Sequence, residues 1–143
     1  EMILPIGAQV AEEREHERIL APGVIADPLP AFPAGLEGDV DVHVCVGIVI
    51  TRHGEVGSVV QLENFPGCEP VDSAASRVLY PAVARTIRQW QFFAGGRCWY
   101  DRDKSECDAR GARIEPMAMK LAYSFHFTRK AGVESVSSSA RSR

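Results

Sequence analysis

No apolar run in the 143-residue chain exceeds seven residues, Val44 to Ile50, and that run includes Cys45 and Gly47. A membrane-spanning helix needs roughly twenty, so no helical span is expected. An excess of one charge is also missing: 16 Lys and Arg stand against 19 Asp and Glu, a net charge of −3. Such a mildly acidic balance supplies no general attraction to nucleic acid or to an anionic membrane surface. The cysteines include no Cys-x-x-Cys pair, which argues against a zinc ribbon or a thioredoxin-type centre. A Gly-rich phosphate loop, a Gly-x-Ser-x-Gly elbow and a His-Glu-x-x-His pair are missing too, which lowers the prior for an enzyme. The sequence begins at Glu1 with no initiator Met and no charged-then-apolar leader, and reads as a mature or trimmed product.

What is present suits one globular domain: 45% hydrophobic and 24% charged residues, in a chain long enough to bury a core without help from a metal. Charge is uneven along it. Arg129 to Arg143 carry four basic groups and one acid, leaving 12 − 18 = −6 on the remainder. The four cysteines, Cys45, Cys68, Cys98 and Cys107, allow three pairings, and sequence does not choose among them. Cys98 and Cys107 flank a short polar stretch that suits a stapled loop in an oxidising compartment, with Cys45 and Cys68 as a candidate second pair. Four buried thiols in a cytosolic protein are the alternative.

Residues 1–29 read as a loosely attached lead segment, with a helix favoured over Ala8–Ala21 and a proline-rich connector after it. From Val40 the pattern sharpens. Val40, Val42, Val44, Val46, Ile48 and Ile50 alternate with Asp41, His43, Cys45, Gly47 and Val49, the period of a strand with one core face. Gly54 suits a hairpin turn, and a second strand follows over Val56–Glu63, where adjacent Val59 and Val60 suggest a bulge. After a Pro- and Gly-bearing loop, Pro81 suits a first helical turn, with Val83, Ala84, Ile87 and Trp90 on one apolar face. Residues 95–114 read as an inserted Cys-bearing loop. Met117, Met119, Leu121, Tyr123, Phe125 and Phe127 then mark the last strand, and the Ser-rich basic tail, 129–143, is expected to be disordered.

Strand, hairpin, strand, helix, strand predicts an α+β fold: a small three-stranded sheet ordered second, first, last, with one helix on one face. The expected core includes Val44, Val46, Ile48, Ile87, Trp90, Phe92, Tyr123 and Phe125. The last strand becomes a sheet edge, whose unpaired backbone groups could accept a partner strand. Along it, Lys120, Ala122, Ser124, His126 and Thr128 are the candidate partner-binding residues. Lys120, the tail or the lead segment could instead cover that edge.

Several pieces, in this order, resemble the TonB C-terminal domain family: Phe32-Pro33, Gly35-Leu36-Glu37-Gly38, the Val40–Ile50 run, His53-Gly54-Glu55-Val56, Ile87-Arg88-Gln89-Trp90-Gln91-Phe92, and the alternating Met117–Thr128 segment. The resemblance covers about residues 30–128. It implies a periplasmic, Gram-negative setting and a non-enzymatic domain without a cofactor. It also implies a protein partner gripped by strand addition, the family's being an outer-membrane transporter in energy transduction. The family's transducers also have a membrane helix and a long Pro-rich spacer, which this sequence does not contain. A free-standing module that self-associates through the same edge, as a homodimer, is the second reading.

Chemistry-bearing clusters are few. His43 and His126 fall on the outward faces of strands expected to be neighbours, with Cys45 on the same face, a weak metal constellation at best. Asp101, Asp103 and Ser105 imitate the start of a calcium loop, but Glu106 stands where the turn glycine is required. Glu12, Glu13, Glu15, His16 and Glu17 read as a solvated helix face.

Overall fold

The computed structural model describes residues 8–9 and 14–141. Their fold is α+β, with mostly antiparallel strands and one helix. The main sheet contains β4 (Val40–Ile50), β5 (Val56–Leu62) and β9 (Met119–Lys130), in the order β5-β4-β9. It has five strands rather than three, because β1 (Ala8–Gln9) and β10 (Val133–Arg141) both pair with the far side of β9.

Alternation builds the core. Val44, Val46, Ile48 and Ile50 of β4 point to the same face as Met119, Leu121, Phe125 and Phe127 of β9, and all are buried. Removing these branched and aromatic side chains from water is the main favourable term in folding. Helix α1 (Ala74–Ile87) covers that face with Leu79, Val83 and Ile87, spaced four apart on one stripe. Ser73 caps it by accepting from the Ser76 amide at 3.0 Å. The helix starts a full two turns before Pro81, which lies inside it. Pro81 is on the exposed side, where the carbonyl freed by its missing N–H can turn to water. Trp90, two residues beyond the Arg88 cap, lies among Phe92, Tyr123 and Phe125 at centroid distances of 6.2, 5.2 and 5.6 Å.

The lead segment is built in. Part of the expected helix, residues 10–13, lies outside the described residues. Apart from a turn at Glu15-His16 the rest is extended: besides β1, β2 (Glu17–Leu20) pairs with β7 (Gly96–Trp99), and β3 (Gly23–Ala26) pairs with β6 (Gln91–Phe93). Helix propensity without an apolar stripe loses to cross-strand pairing here. The Cys-bearing insertion is likewise structured. β7 pairs with β8 (Arg113–Pro116), and a 3-10 turn over Lys104–Asp108 is joined to β7 by Cys98–Cys107. Glu106 accepts from the amides of Asp101, Arg102 and Asp103 at 2.8–3.0 Å, which holds its carboxyl below the usual range. Asp103 and Glu106 thus form a capping box.

The bulge in β5 falls at Gly57, between the pairs Val49–Ser58 and Ile50–Val56, two residues before the expected valine pair. Of the tail expected to be disordered, 129–143, Arg129 and Lys130 end β9 and Val133–Arg141 form β10, joined to β9 by Ala131 and Gly132 at φ 52° and 79°; residues 142–143 lie outside the described residues. Two positive φ values in a two-residue loop make a type I′ turn, whose twist suits a hairpin. Serines offer little apolar area but tolerate a strand, and Val136 on the core face packs against the cluster. Ala131 carries a strain that asparagine tolerates better. Ala131→Asn is expected to stabilise the domain by about 0.5–1 kcal/mol, read as a higher denaturation midpoint at unchanged m.

Candidate functional site

The expected binding edge, β9, is an interior strand. Lys120, Ala122, Ser124, His126 and Thr128 lie on its outer face with Val49, Gly47, Cys45, His43 and Asp41 of β4 directly opposite. On the other side, β10 runs from Val133 opposite Lys130 to Arg141 opposite Ala122, and β1 continues with Ala8 opposite Leu121. Of the three coverings expected from sequence, the tail and the lead segment are in place, and Lys120 lies on the outer face. The reason is the turn at Ala131-Gly132, which returns the tail along β9.

The sheet's exposed edge moves outward to β10. In a two-residue hairpin the flanking pair, Lys130–Val133, exchanges both backbone bonds, and bonding then alternates. Val133, Ser135, Ser137, Ser139 and Arg141 thus bond to β9, while Glu134, Val136, Ser138 and Ala140 direct N–H and C=O away from it. Among the described residues no strand pairs with that outer side. The opposite edge, β5, is less open. Tyr80 Oη donates to the Val59 carbonyl at 3.4 Å, and Gln61 Nε2 to Ser76 Oγ at 2.8 Å.

The outer face of β4, β9 and β10 holds a polar cluster that joins the three strands. His43 and His126 are cross-strand partners with rings stacked 4.0 Å apart at 8°. His126 Nε2 lies 2.6 Å from Asp41 Oδ1, and this bond keeps the Asp41 carboxyl below its ordinary range. Partial burial holds His43 below the ordinary imidazole value, reinforced by the charges of His126 and Arg141 and opposed by Asp41. Arg141 Nη2 donates to the buried Ser124 Oγ at 3.1 Å. Ser137 and Ser139 stand opposite His126 and Ser124.

Cys45 does not complete a metal set, because it is bonded to Cys68. Imidazole lone pairs lie in the ring plane, so two face-to-face rings do not converge on one ion. Among the described residues no group of three or more His, Cys, Asp or Glu could hold a metal. The disulfide is structural. β5 ends at Leu62, opposite Cys45, and Cys68 then returns beside His43, whose carbonyl accepts from the Glu69 amide at 2.8 Å.

Glu17, expected on a solvated helix face, is buried in β2: it accepts from Trp99 Nε1 at 3.0 Å and has Arg97 at 3.7 Å. No periodicity announces that role, since its partners lie some eighty residues away. Val44, Val46, Ile48, Ile87, Trp90, Phe92 and Phe125 are buried in one cluster, with Tyr123 partly buried against it. The disulfides, Cys45–Cys68 and Cys98–Cys107, fit folding in an oxidising compartment. No helix among the described residues is long and apolar enough to cross a membrane. Comparison with protein-family models, with curated proteins and with solved structures gives no match.

Proposed function

We propose that this chain is a non-catalytic, periplasmic protein-binding domain that takes up a partner strand along the outer edge of β10. The observation that carries the reading is an open edge whose only charged residues are Glu134 and Arg141. β10 has neither Pro nor Lys, and its pairing with β9 runs without a bulge, whereas edges kept free of partners are commonly blunted by these devices. A ladder on Glu134, Val136, Ser138 and Ala140 would supply affinity, and alternate side chains selectivity. The resemblance to the TonB C-terminal family supplies the partner class, an extended segment of an outer-membrane transporter, and energy transduction as the role.

Proline at 138 tests this, because the Ser138 amide points away from β9 and its loss spares the hairpin. Extended transporter-box peptides are expected to bind the wild type and to bind Ser138→Pro about tenfold or more weakly, with an unchanged circular dichroism spectrum. No binding to the wild type, or equal binding to both, sinks the proposal.

Self-association is the second reading, favoured by one detail. In a two-fold antiparallel pairing centred on Ser137, Glu134 meets Ala140 and Val133 meets Arg141 of the other copy, so no like charges oppose. Light scattering that shows a monomer at high concentration removes it.

A further inference from the structure

We propose that the outer-face cluster of His43, His126 and Arg141 is an acid-sensitive clamp on β10, which releases that strand from β9 when His43 takes up a proton. The inference does not depend on whether anything pairs with the outer edge of β10.

Three strands meet at the cluster. His43 comes from β4, His126 from β9, and Arg141 is the last paired residue of β10. The stacked rings lie 4.0 Å apart, a spacing that accommodates one positive charge far better than two. Asp41 is the carboxylate bonded to this group, and that bond is to His126. The charges acting on His43 are therefore His126 from β9, Arg141 from β10 and Asp41 from its own strand. From the remaining side, Cys68 is in a disulfide and Glu69 offers its backbone amide. With one imidazolium the group sums to +1 with Arg141 and Asp41 included; with two it reaches +2. Asp41 does not relieve this on mild acidification, since its bond to His126 keeps it ionised.

β10 is the element that can yield. None of its residues is buried, and β9 is its sole strand partner among the described residues. β4 and β9 carry the core. Undocking the end of β10 carries Arg141 away from His43, so proton binding to His43 and docking of Arg141 oppose one another. Such linkage is reciprocal. The sign follows from the direction of the shift. A histidine held below about 6.5 when folded binds its proton more readily in the opened state, so closure is complete above that pH and weakens as pH falls through it.

Amide exchange separates this from general unfolding. The Ser135, Ser137 and Ser139 amides bond to β9, whereas those of Phe125 and Phe127 bond to β4. After correction for intrinsic rates, exchange at the three serines is expected to quicken at pH 5 relative to pH 7.5. The factor is about tenfold for each unit separating the His43 midpoints with β10 docked and undocked. Phe125 and Phe127 stay protected. His43→Gln is expected to remove the acid response, and Arg141→Gln, a change at the end of an edge strand, to raise the His43 midpoint measured by NMR. Equal serine exchange at both pH values, an acid response shared by Phe125 and Phe127, or a His43 midpoint unmoved by Arg141→Gln overturns the proposal.

Discussion

Replacing Trp90 by alanine is expected to cost about 3–5 kcal/mol of folding stability. The ring is 2% exposed and is wedged between the sheet and the segment after α1, edge-on to Tyr123 and tilted against Phe125 and Phe92. Neighbours bound to a sheet cannot collapse into the space an indole leaves, so the cavity cost adds to the lost transfer energy. Trp90 Nε1 also donates to the Pro28 carbonyl at 2.9 Å, tying the lead segment to the core. Trp90→Phe keeps a ring but deletes that bond, and is expected to cost about 1–2 kcal/mol. Denaturant titrations of both variants check this: an unfolding free energy for Trp90→Ala within about 1 kcal/mol of wild type would show that the ring is not the anchor described.

Gly54→Ala is the second large effect, at about 2–5 kcal/mol. The φ of Gly54 is 82°, and a Cβ there would run into the Phe92 carbonyl oxygen, which is backbone and has no rotamer to yield. The left-handed conformation costs roughly 1–2 kcal/mol for alanine, and forced displacement in a packed region roughly 1–3 more. The contact is a joint between sheets. The Gly54 carbonyl accepts from the Phe92 amide at 3.0 Å, and Glu55 bridges to Gln91. Thermal unfolding followed by the combined fluorescence of Trp90 and Trp99 reads the loss. Gly67→Ala is the control, because Gly67 has a similar φ of 84° but nothing within 4 Å of its Cβ position. Equal costs at the two sites would show that φ alone matters and the Phe92 contact does not.

The part of the fold legible in sequence is the part that alternates. β4 and the Met119–Phe127 stretch of β9 place an apolar residue at every second position, so period and core face follow from side chains alone, and the β5-β4-β9 order from the hairpin and the helix crossover that connect the strands. The tail escaped because Ser135, Ser137, Ser138 and Ser139 bury almost nothing. Its signal was the turn, and Ala131-Gly132 is a weaker hairpin signature than Asn-Gly. The lead segment escaped because β2 and β3 are held by partners some seventy to eighty residues away, which no local pattern encodes. Of the candidate site, the His43–His126 pairing was visible from the register of two outward faces. Arg141 and the covering of β9 were not, since both depend on the tail.

The tiling of β9 has a further consequence. Arg141 stands opposite Ala122 and Ala8 opposite Leu121, and both β10 and β1 run antiparallel to β9. To β9, the last and first described strands are one strand laid head to tail. Between Ala8 and Arg141 the chain path is therefore nearly a ring, its two described ends meeting along a single line of hydrogen bonds on β9. A chain in which Arg141 led into Ala8 and which opened in the exposed 108–111 turn instead would keep every strand pairing seen among the described residues.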